Sequence, residues 1–296
     1  MNPFLFYPAT PGSVKFRTPD GVFFITPGGQ DAVDPQLLSG IDDCFRQGRL
    51  LKDTRSTTAA LTSLSPQGTS VFLKRTNNKG FAFSLKYLFR CARVFRAAKA
   101  AVYLEELGIR TPKVLLAGER RHGLVLKAGY LATTTAPGIH SAAWLLQETD
   151  APEAVLESFL AYAADSTAKL HAGGIEHGDL KAINFYFTGQ WTPETGYGIW
   201  DLDSVRRYRW TVPAERVEKE LSRVVFSTHL ATEKNPHFPE ALRAPEYLSR
   251  RLTDLYRAAA VPSQYVPSSE AVLRHALARL EYLKIHPYKP SGTELL

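Results

Sequence analysis

The sequence predicts an α+β chain in two lobes, with a β-rich first third and a mainly helical remainder. Three observations predict it. Short β-branched and aromatic runs, punctuated by Pro, Gly and Asp, fill the first 130 or so residues around one helical insertion. Apolar residues then recur at three- and four-residue steps through Leu156, Leu160, Ala163, Thr167 and Leu170, and helical patterning continues beyond them. Between the two regimes, Thr133-Thr134-Thr135-Ala136-Pro137-Gly138 reads as a connector. The expected organisation is an N-terminal extension (1–40) packed on the first lobe, a β-rich lobe (41–133), a hinge (134–138) and a helical lobe (139–296).

In chain order, Pro19-Asp20-Gly21 and Pro27-Gly28-Gly29 bracket Val22-Phe23-Phe24-Ile25 as a strand between turns. Further strands are expected at 44–51, 59–64 and 70–74, the last two forming a hairpin across Ser65-Pro66-Gln67-Gly68. A basic helix is expected over 84–107, stopped by Gly108, followed by strands at 114–117 and 124–126 on either side of Arg120-Arg121-His122-Gly123. In the second lobe, Gly173-Gly174 ends the helix carrying the apolar stripe. Two short strands (184–187 and 197–200) follow around a turn, then helices at 214–230 and 269–285.

Composition excludes several classes. The 44% apolar and 22% charged content is that of a folded globular chain rather than a disordered one. Two cysteines cannot build a disulfide framework in 296 residues, and no Cys/His group has metal-ligand spacing. The N-terminus lacks a basic region followed by an apolar core, and no uninterrupted apolar run reaches about 18 residues. A soluble, cytosolic chain is expected. Charge is uneven: 36 Lys and Arg against 29 Asp and Glu give +7, yet the window 74–99 alone carries eight basic residues and no acidic one. Such a field attracts phosphates, nucleic acid or an anionic membrane surface, whereas a solvated helix face is the plainer account. No nucleic-acid recognition motif accompanies it, so nucleic acid is not an expected partner. A second basic cluster, Arg206, Arg207 and Arg209, follows Asp201-Leu202-Asp203.

The chemistry is concentrated in His177-Gly178-Asp179-Leu180-Lys181-Ala182-Ile183-Asn184 and in Ile199-Trp200-Asp201-Leu202-Asp203. Phosphoryl transfer needs a carboxylate to orient an acceptor hydroxyl, oxygen ligands for Mg²⁺ and positive charge at the transferred group. Asp179 suits the first role, Asn184 and Asp201 the second, and Lys181 the third. The alternative is that these are ordinary turn and cap residues, the role assigned here to Asp203. Lys74 closes Val71-Phe72-Leu73, 105 positions before Asp179; a lysine there would ordinarily reach the surface, but the position resembles that of the protein kinase superfamily's strand lysine, which implies a role at the nucleotide phosphates. The turn Thr54-Arg55-Ser56-Thr57-Thr58 precedes its hairpin in the place of that superfamily's glycine-rich loop, and the resemblance implies Ser56 and Thr57 as the residues covering those phosphates.

These motifs resemble the catalytic loop, metal-binding aspartate and strand lysine of the protein kinase superfamily. That resemblance implies a two-lobed protein kinase-like fold and use of ATP and Mg²⁺. Gly178 stands where protein kinases usually carry an arginine that couples the loop to a phosphorylated segment, which points to small-molecule kinases. Together with Phe72-Leu73-Lys74-Arg75, Leu107-Gly108-Ile109-Arg110-Thr111-Pro112 and Trp200-Asp201-Leu202-Asp203-Ser204-Val205-Arg206, the chain looks like the Kdo and heptose kinases of the lipopolysaccharide core (WaaP type) over about 45–230. The resemblance implies phosphorylation of a sugar hydroxyl on lipid A-linked core oligosaccharide. It also implies peripheral contact between the basic 74–99 segment and the inner face of the inner membrane. Two departures stand out: the turn 54–58 has no glycine, and the family's helix glutamate that pairs the strand lysine falls at Ala97. A pseudokinase and an atypical bacterial protein kinase are the rival readings.

Overall fold

The alternation of the early runs is expressed as strands. The computed structural model describes residues 10–66, 68–135, 138–192 and 195–286. It divides into two units: one takes the described residues up to Tyr103 together with Pro112–Thr135, the other Leu104–Thr111 and the described residues from 138 onward.

In the first unit, among the described residues, an antiparallel sheet of seven strands runs β1 (Val14–Arg17), β2 (Gly21–Ile25), β3 (Arg49–Asp53), β4 (Thr57–Thr62), β5 (Val71–Asn77), β6 (Val114–His122) and β7 (Val125–Thr134). Its spatial order is β1-β2-β6-β7-β5-β4-β3. The first forty residues therefore contribute two strands to this sheet. One sheet face is covered by Phe23, Ile25, Leu38, Ile41, Ala60, Leu73, Leu116 and Tyr130, all essentially inaccessible. Helix α1 (Asp43–Gln47) is fixed to that face by Asp42, the residue before it. Asp42 accepts hydrogen bonds from Arg75 Nη1 on β5 (2.8 Å), Arg120 Nη1 on β6 (2.8 Å) and the Tyr130 hydroxyl on β7 (3.0 Å). Burial and the Asp42 charge both push the Tyr130 phenol well above its ordinary pKa.

Two expectations are corrected here. Residues 44–51 are not one strand, because Cys44 and Phe45 bury on α1 and the chain turns at Gly48 into β3. A Cβ at Gly48 would lie 2.6 Å from the Leu61 carbonyl, so only glycine makes that turn against β4. Residues 84–107 are not one helix either, but α2 (Phe81–Lys86) and α3 (Arg93–Glu106). Arg121 on β6 donates to the carbonyls of Tyr87 (3.0 Å) and Arg90 (2.6 Å), and Glu119 accepts from Ala92 N (2.6 Å). These β6 side chains take up backbone groups that a continuous helix would pair within itself. Gly108, at φ +70°, ends α3 as expected, with Ile109 N bonded back to Leu104 O.

The second unit holds β8 (Ile139–Ser141), α4 (Ala142–Glu148), α5 (Pro152–Ala172), β9 (Ile175–Glu176), β10 (Phe185–Thr188), β11 (Gly198–Ile199) and β12 (Arg206–Arg207). Helices α6 (Ala214–Thr232), α7 (Glu240–Arg243), α8 (Pro245–Ala259) and α9 (Ser269–Ile285) complete it. Pro152 opens α5, a position where its missing N–H costs nothing, and the predicted stripe of α5 is buried against α6 and α8. Strands β10 and β11 pair antiparallel, Phe185 opposite Ile199, and β8 adds on the other side of β10. Of the expected hinge, Ala136 and Pro137 lie outside the described residues.

Replacing Asp42 by Ala leaves two guanidiniums and a phenol facing one another without their shared acceptor. The unfolding free energy is expected to fall by roughly 2 kcal/mol, read from the urea midpoint at constant slope. A loss below about 0.5 kcal/mol, the level of an ordinary surface substitution, would remove Asp42 as the fastener of α1.

Candidate active site

Where α5 ends, Gly174 takes φ +68°, and a Cβ there would meet the Trp210 carbonyl at 2.9 Å. The chain enters β9, pairs with β12, and then runs as a loop through 177–184, closing in a 3₁₀ turn at Ala182–Asn184. This loop hangs from one buried carboxylate. Glu220, inaccessible on α6, accepts from His177 N (3.0 Å), Gly178 N (2.6 Å) and His171 Nε2 (3.1 Å). Ionised Glu220 only accepts, so His171 carries a proton on Nε2, while its Nδ1 lies 2.9 Å from the Tyr256 hydroxyl, which accepts from Gln264 Nε2 (2.6 Å). Burial alone would raise the Glu220 pKa; its hydrogen bonds and the neighbouring histidines outweigh that and hold it below the usual carboxylate range.

The loop is also fastened to the strand that delivers Asp201. His177 Nε2 donates to the Trp200 carbonyl (3.1 Å), Trp200 N to the Asn184 carbonyl (3.0 Å), and Trp200 Nε1 to the Ile183 carbonyl (2.7 Å). The indole of Trp200 stacks on Tyr186 at 5.2 Å. Asp179 is held at both main-chain ends: its N–H points to His177 Nδ1 (3.4 Å), and its carbonyl accepts from Asn184 Nδ2 (2.6 Å). Its partly exposed carboxylate lies 2.7 Å from Lys181 Nζ. Asp201 has φ +58°, ψ +55°, the only non-glycine residue with positive φ among the described residues. Few non-glycine residues enter the left-handed region, Asp and Asn foremost among them, and such positions concentrate at functional sites.

Gly178 also has a local reason. It sits at φ +86°, and a Cβ would lie 2.6 Å from the Ser204 carbonyl. No side chain, and therefore no arginine, can stand there while the loop packs on the turn after Asp201. The second unit thus brings Asp179, Lys181, Asn184 and Asp201 into one hydrogen-bonded assembly. The donor chemistry suits a hard divalent cation: Asn184 spends its Nδ2 on the Asp179 carbonyl, which leaves Oδ1, and Asp201 supplies a carboxylate. Mg²⁺ characteristically takes one or two protein oxygens and completes its shell from phosphates and water. Among the described residues no group of three or more His, Cys, Asp or Glu has metal-holding geometry.

The remaining candidates lie on the sheet unit. Lys74 is half-buried on β5, opposite Ala59 of β4 and Leu131 of β7. Ser56 and Thr57 lie at the tight β3–β4 turn, where Thr57 N donates to Thr54 O (3.3 Å) and Thr54 Oγ1 (3.1 Å). That main-chain donor is spent within the turn, and the Ser56 hydroxyl lies 3.4 Å from Thr54 Oγ1. Ala97 is buried on α3 at 1% exposure. Reading by motif misses Glu220, His171, Tyr256, Gln264 and Ser227, whose Oγ accepts from Ala182 N (2.8 Å). One signal was present: Glu220 interrupts the apolar stripe of Val217, Leu221 and Val224, where an unpaired carboxylate is prohibitively costly.

A sheet unit followed by a helical unit with this loop defines a protein kinase-like protein. WaaP, solved in complex with acyl carrier protein, superposes with a TM-score of 0.54 at 15% identity, covering 85% of this chain and 93% of that one. The BubR1 kinase domain gives 0.47 at 9% identity, over 94% and 85%. No curated protein matches the chain by sequence. The profile of the lipopolysaccharide kinase (Kdo/WaaP) family matches residues 47–242, about two-thirds of the chain, and the chain belongs to that family. It is accordingly an ATP-dependent kinase of the lipopolysaccharide core.

Glu220→Gln keeps the shape but leaves one of the three donors without an acceptor. It is expected to destabilise by about 2–4 kcal/mol and to lower kcat more than it alters the KM for ATP. Because the folded-state pKa of Glu220 is depressed, its contribution is full above the ordinary glutamate value of about 4.3 and is lost as pH falls through the folded-state value. Urea midpoints at pH 7 and pH 3.5 should therefore differ less in the variant than in the parent chain. An unchanged difference would show that Glu220 does not titrate on unfolding.

Proposed function

We propose that the chain transfers the γ-phosphoryl group of ATP to a hydroxyl of Kdo or heptose in the lipid A-linked inner core. The carrying observation is the Asp179 carboxylate, held beside Lys181 on a loop fixed at both ends. In this reading Asp179 accepts a hydrogen bond from the sugar hydroxyl, orients its oxygen and takes the proton as the new O–P bond forms. Lys181 offsets the negative charge on the transferred group. Lys74 binds the nucleotide phosphates, and the Ser56 and Thr57 hydroxyls cover them. Asn184 and Asp201 hold Mg²⁺, which when bound supplies charge neutralisation on the phosphates. Buried Ala97, in place of a carboxylate, favours the pseudokinase reading, in which the same residues bind nucleotide without turnover.

Peripheral action at the inner face of the inner membrane is part of the proposal. Among the described residues no helix is long and apolar enough to cross a membrane. The basic window is not one face, because Arg75 turns to Asp42 on the core side of β5. Around α2, however, Phe81 (85% exposed), Leu85 (60%) and Phe89 (66%) protrude at four-residue spacing beside exposed Lys79, Lys86 and Arg90. Protruding apolar groups ringed by cations suit an anionic lipid surface.

Asp179→Ala is expected to cut transfer to delipidated core oligosaccharide by about 10²–10⁴-fold with ATP affinity kept. Asp201→Asn, whose side chain tolerates the left-handed conformation, should fold normally and lose turnover. Substantial turnover in the Asp179 variant would remove it from the chemistry, and ATP binding without transfer by the parent chain would favour the pseudokinase. With a generic protein as second substrate, the same assay tests the protein kinase alternative.

For the membrane contact, Lys86→Ser/Arg90→Ser should weaken binding to phosphatidylglycerol-containing vesicles at low salt by roughly 30-fold, at about 1 kcal/mol per charge. Transfer to a soluble fragment should be unchanged. Undiminished flotation with vesicles would eliminate this surface.

A further inference from the structure

After the 3₁₀ turn Leu202–Ser204 the chain does not return to the interior. Residues 205–212 run as a strip whose underside is anchored at three points. Val205 (2% exposed) and Val212 (4%) are buried at its two ends, and the Tyr208 hydroxyl donates to buried Glu176 (2.6 Å) in between. The main chain is pinned as well: β12 pairs with β9, and Tyr208 N donates to the Gly174 carbonyl (2.7 Å). Facing outward from this fixed backbone are Arg206, Arg207, Arg209 and Trp210, the indole 78% exposed with the Arg209 guanidinium 5.1 Å from its ring. Arg206 donates a hydrogen bond to the Tyr208 phenol, and among the described residues neither Arg206 nor Arg209 forms an ion pair with a carboxylate. Exposed guanidiniums beside an exposed indole give the strip a positive field and an apolar plane, a surface suited to an anionic partner.

Its position gives it a use. The β9 strand beneath the strip runs directly into His177, and the Ser204 carbonyl against which Gly178 packs lies two residues before Arg206. The strip is thus bonded to both segments that carry Asp179 and Asp201. Guanidiniums bind phosphate and carboxylate through paired hydrogen bonds, and a fixed indole offers an apolar plane to the C–H face of a sugar ring.

We propose that Arg206, Arg209 and Trp210 form the docking strip for the acceptor, a saccharide bearing phosphate or carboxylate groups. The guanidiniums take its anionic groups and the indole takes one ring. The proposal rests on the kinase reading above and adds the residues that select the acceptor.

The test uses the full-length chain with deacylated core oligosaccharide, its dephosphorylated counterpart, and sugar-free anionic vesicles. Arg206→Ala/Arg209→Ala is expected to raise the KM for the charged oligosaccharide tenfold or more. The KM for ATP and the melting temperature should stay unchanged and kcat within about twofold, because the strip acts on binding and not on the reacting atoms. Trp210→Ala should raise the acceptor KM for charged and dephosphorylated substrates alike, whereas the double arginine variant should affect mainly the charged one. Arg206→Lys/Arg209→Lys should recover part of the loss.

Unchanged acceptor KM in both alanine variants overturns the strip while leaving the kinase reading intact. Loss of vesicle binding with oligosaccharide KM retained reassigns it to lipid headgroups and also overturns the proposal. If the parent chain transfers nothing to any saccharide while binding ATP, the kinase reading itself falls and the strip with it.

Discussion

The loop that carries Asp179 is held by a charge buried where a charge is most expensive. Glu220 has no access to water, and its ionised form is sustained only because two main-chain N–H groups and a histidine point at it. The histidine is in turn oriented by Tyr256, and Tyr256 by Gln264, so residues from α5, α6, α8 and the segment beyond α8 converge on the start of one loop. A partly satisfied version of this network would be worse than an apolar core. That makes the geometry close to all-or-none: with every partner present the loop has a single conformation, and Lys181, Asn184 and the strand to Asp201 inherit it.

The sheet unit uses the same device on a smaller scale. Asp42 gathers groups from three adjacent strands and ties the short helix α1 to them. Arg121 and Glu119 on β6 occupy backbone groups of residues 87–92 and so interrupt what would be a continuous helix. The interruption leaves α2 as a six-residue helix with its large side chains outward, which is why a surface of that character exists beside a well-buried α3.

Much of the fold was legible because period and punctuation act locally. The stripe of α5, the helix at 269–285 and the hairpin of β4 and β5 need no information beyond their own residues. Residues 44–51 and 84–107 were misread because what decides them is distant: the Leu61 carbonyl beside Gly48, and Arg121 some thirty positions from the carbonyls it takes. The site divides the same way. Asp179, Asn184 and Asp201 stand out through mutual spacing, whereas their support comes from residues whose only mark is a carboxylate on an apolar helix face. The need for glycine at 178 is a property of contact between two loops, and no local pattern announces it.

The left-handed backbone at Asp201 separates two demands that usually travel together. The conformation asks only for a residue that bears it cheaply, which glycine and asparagine do as well as aspartate; the chemistry asks for an anion. In a lineage released from catalysis the backbone at this position would still admit all three. A selection for soluble expression would return three residues there, and a selection for survival under need of the product would return one. The difference between those two outcomes is a measure of function that requires no substrate to be known.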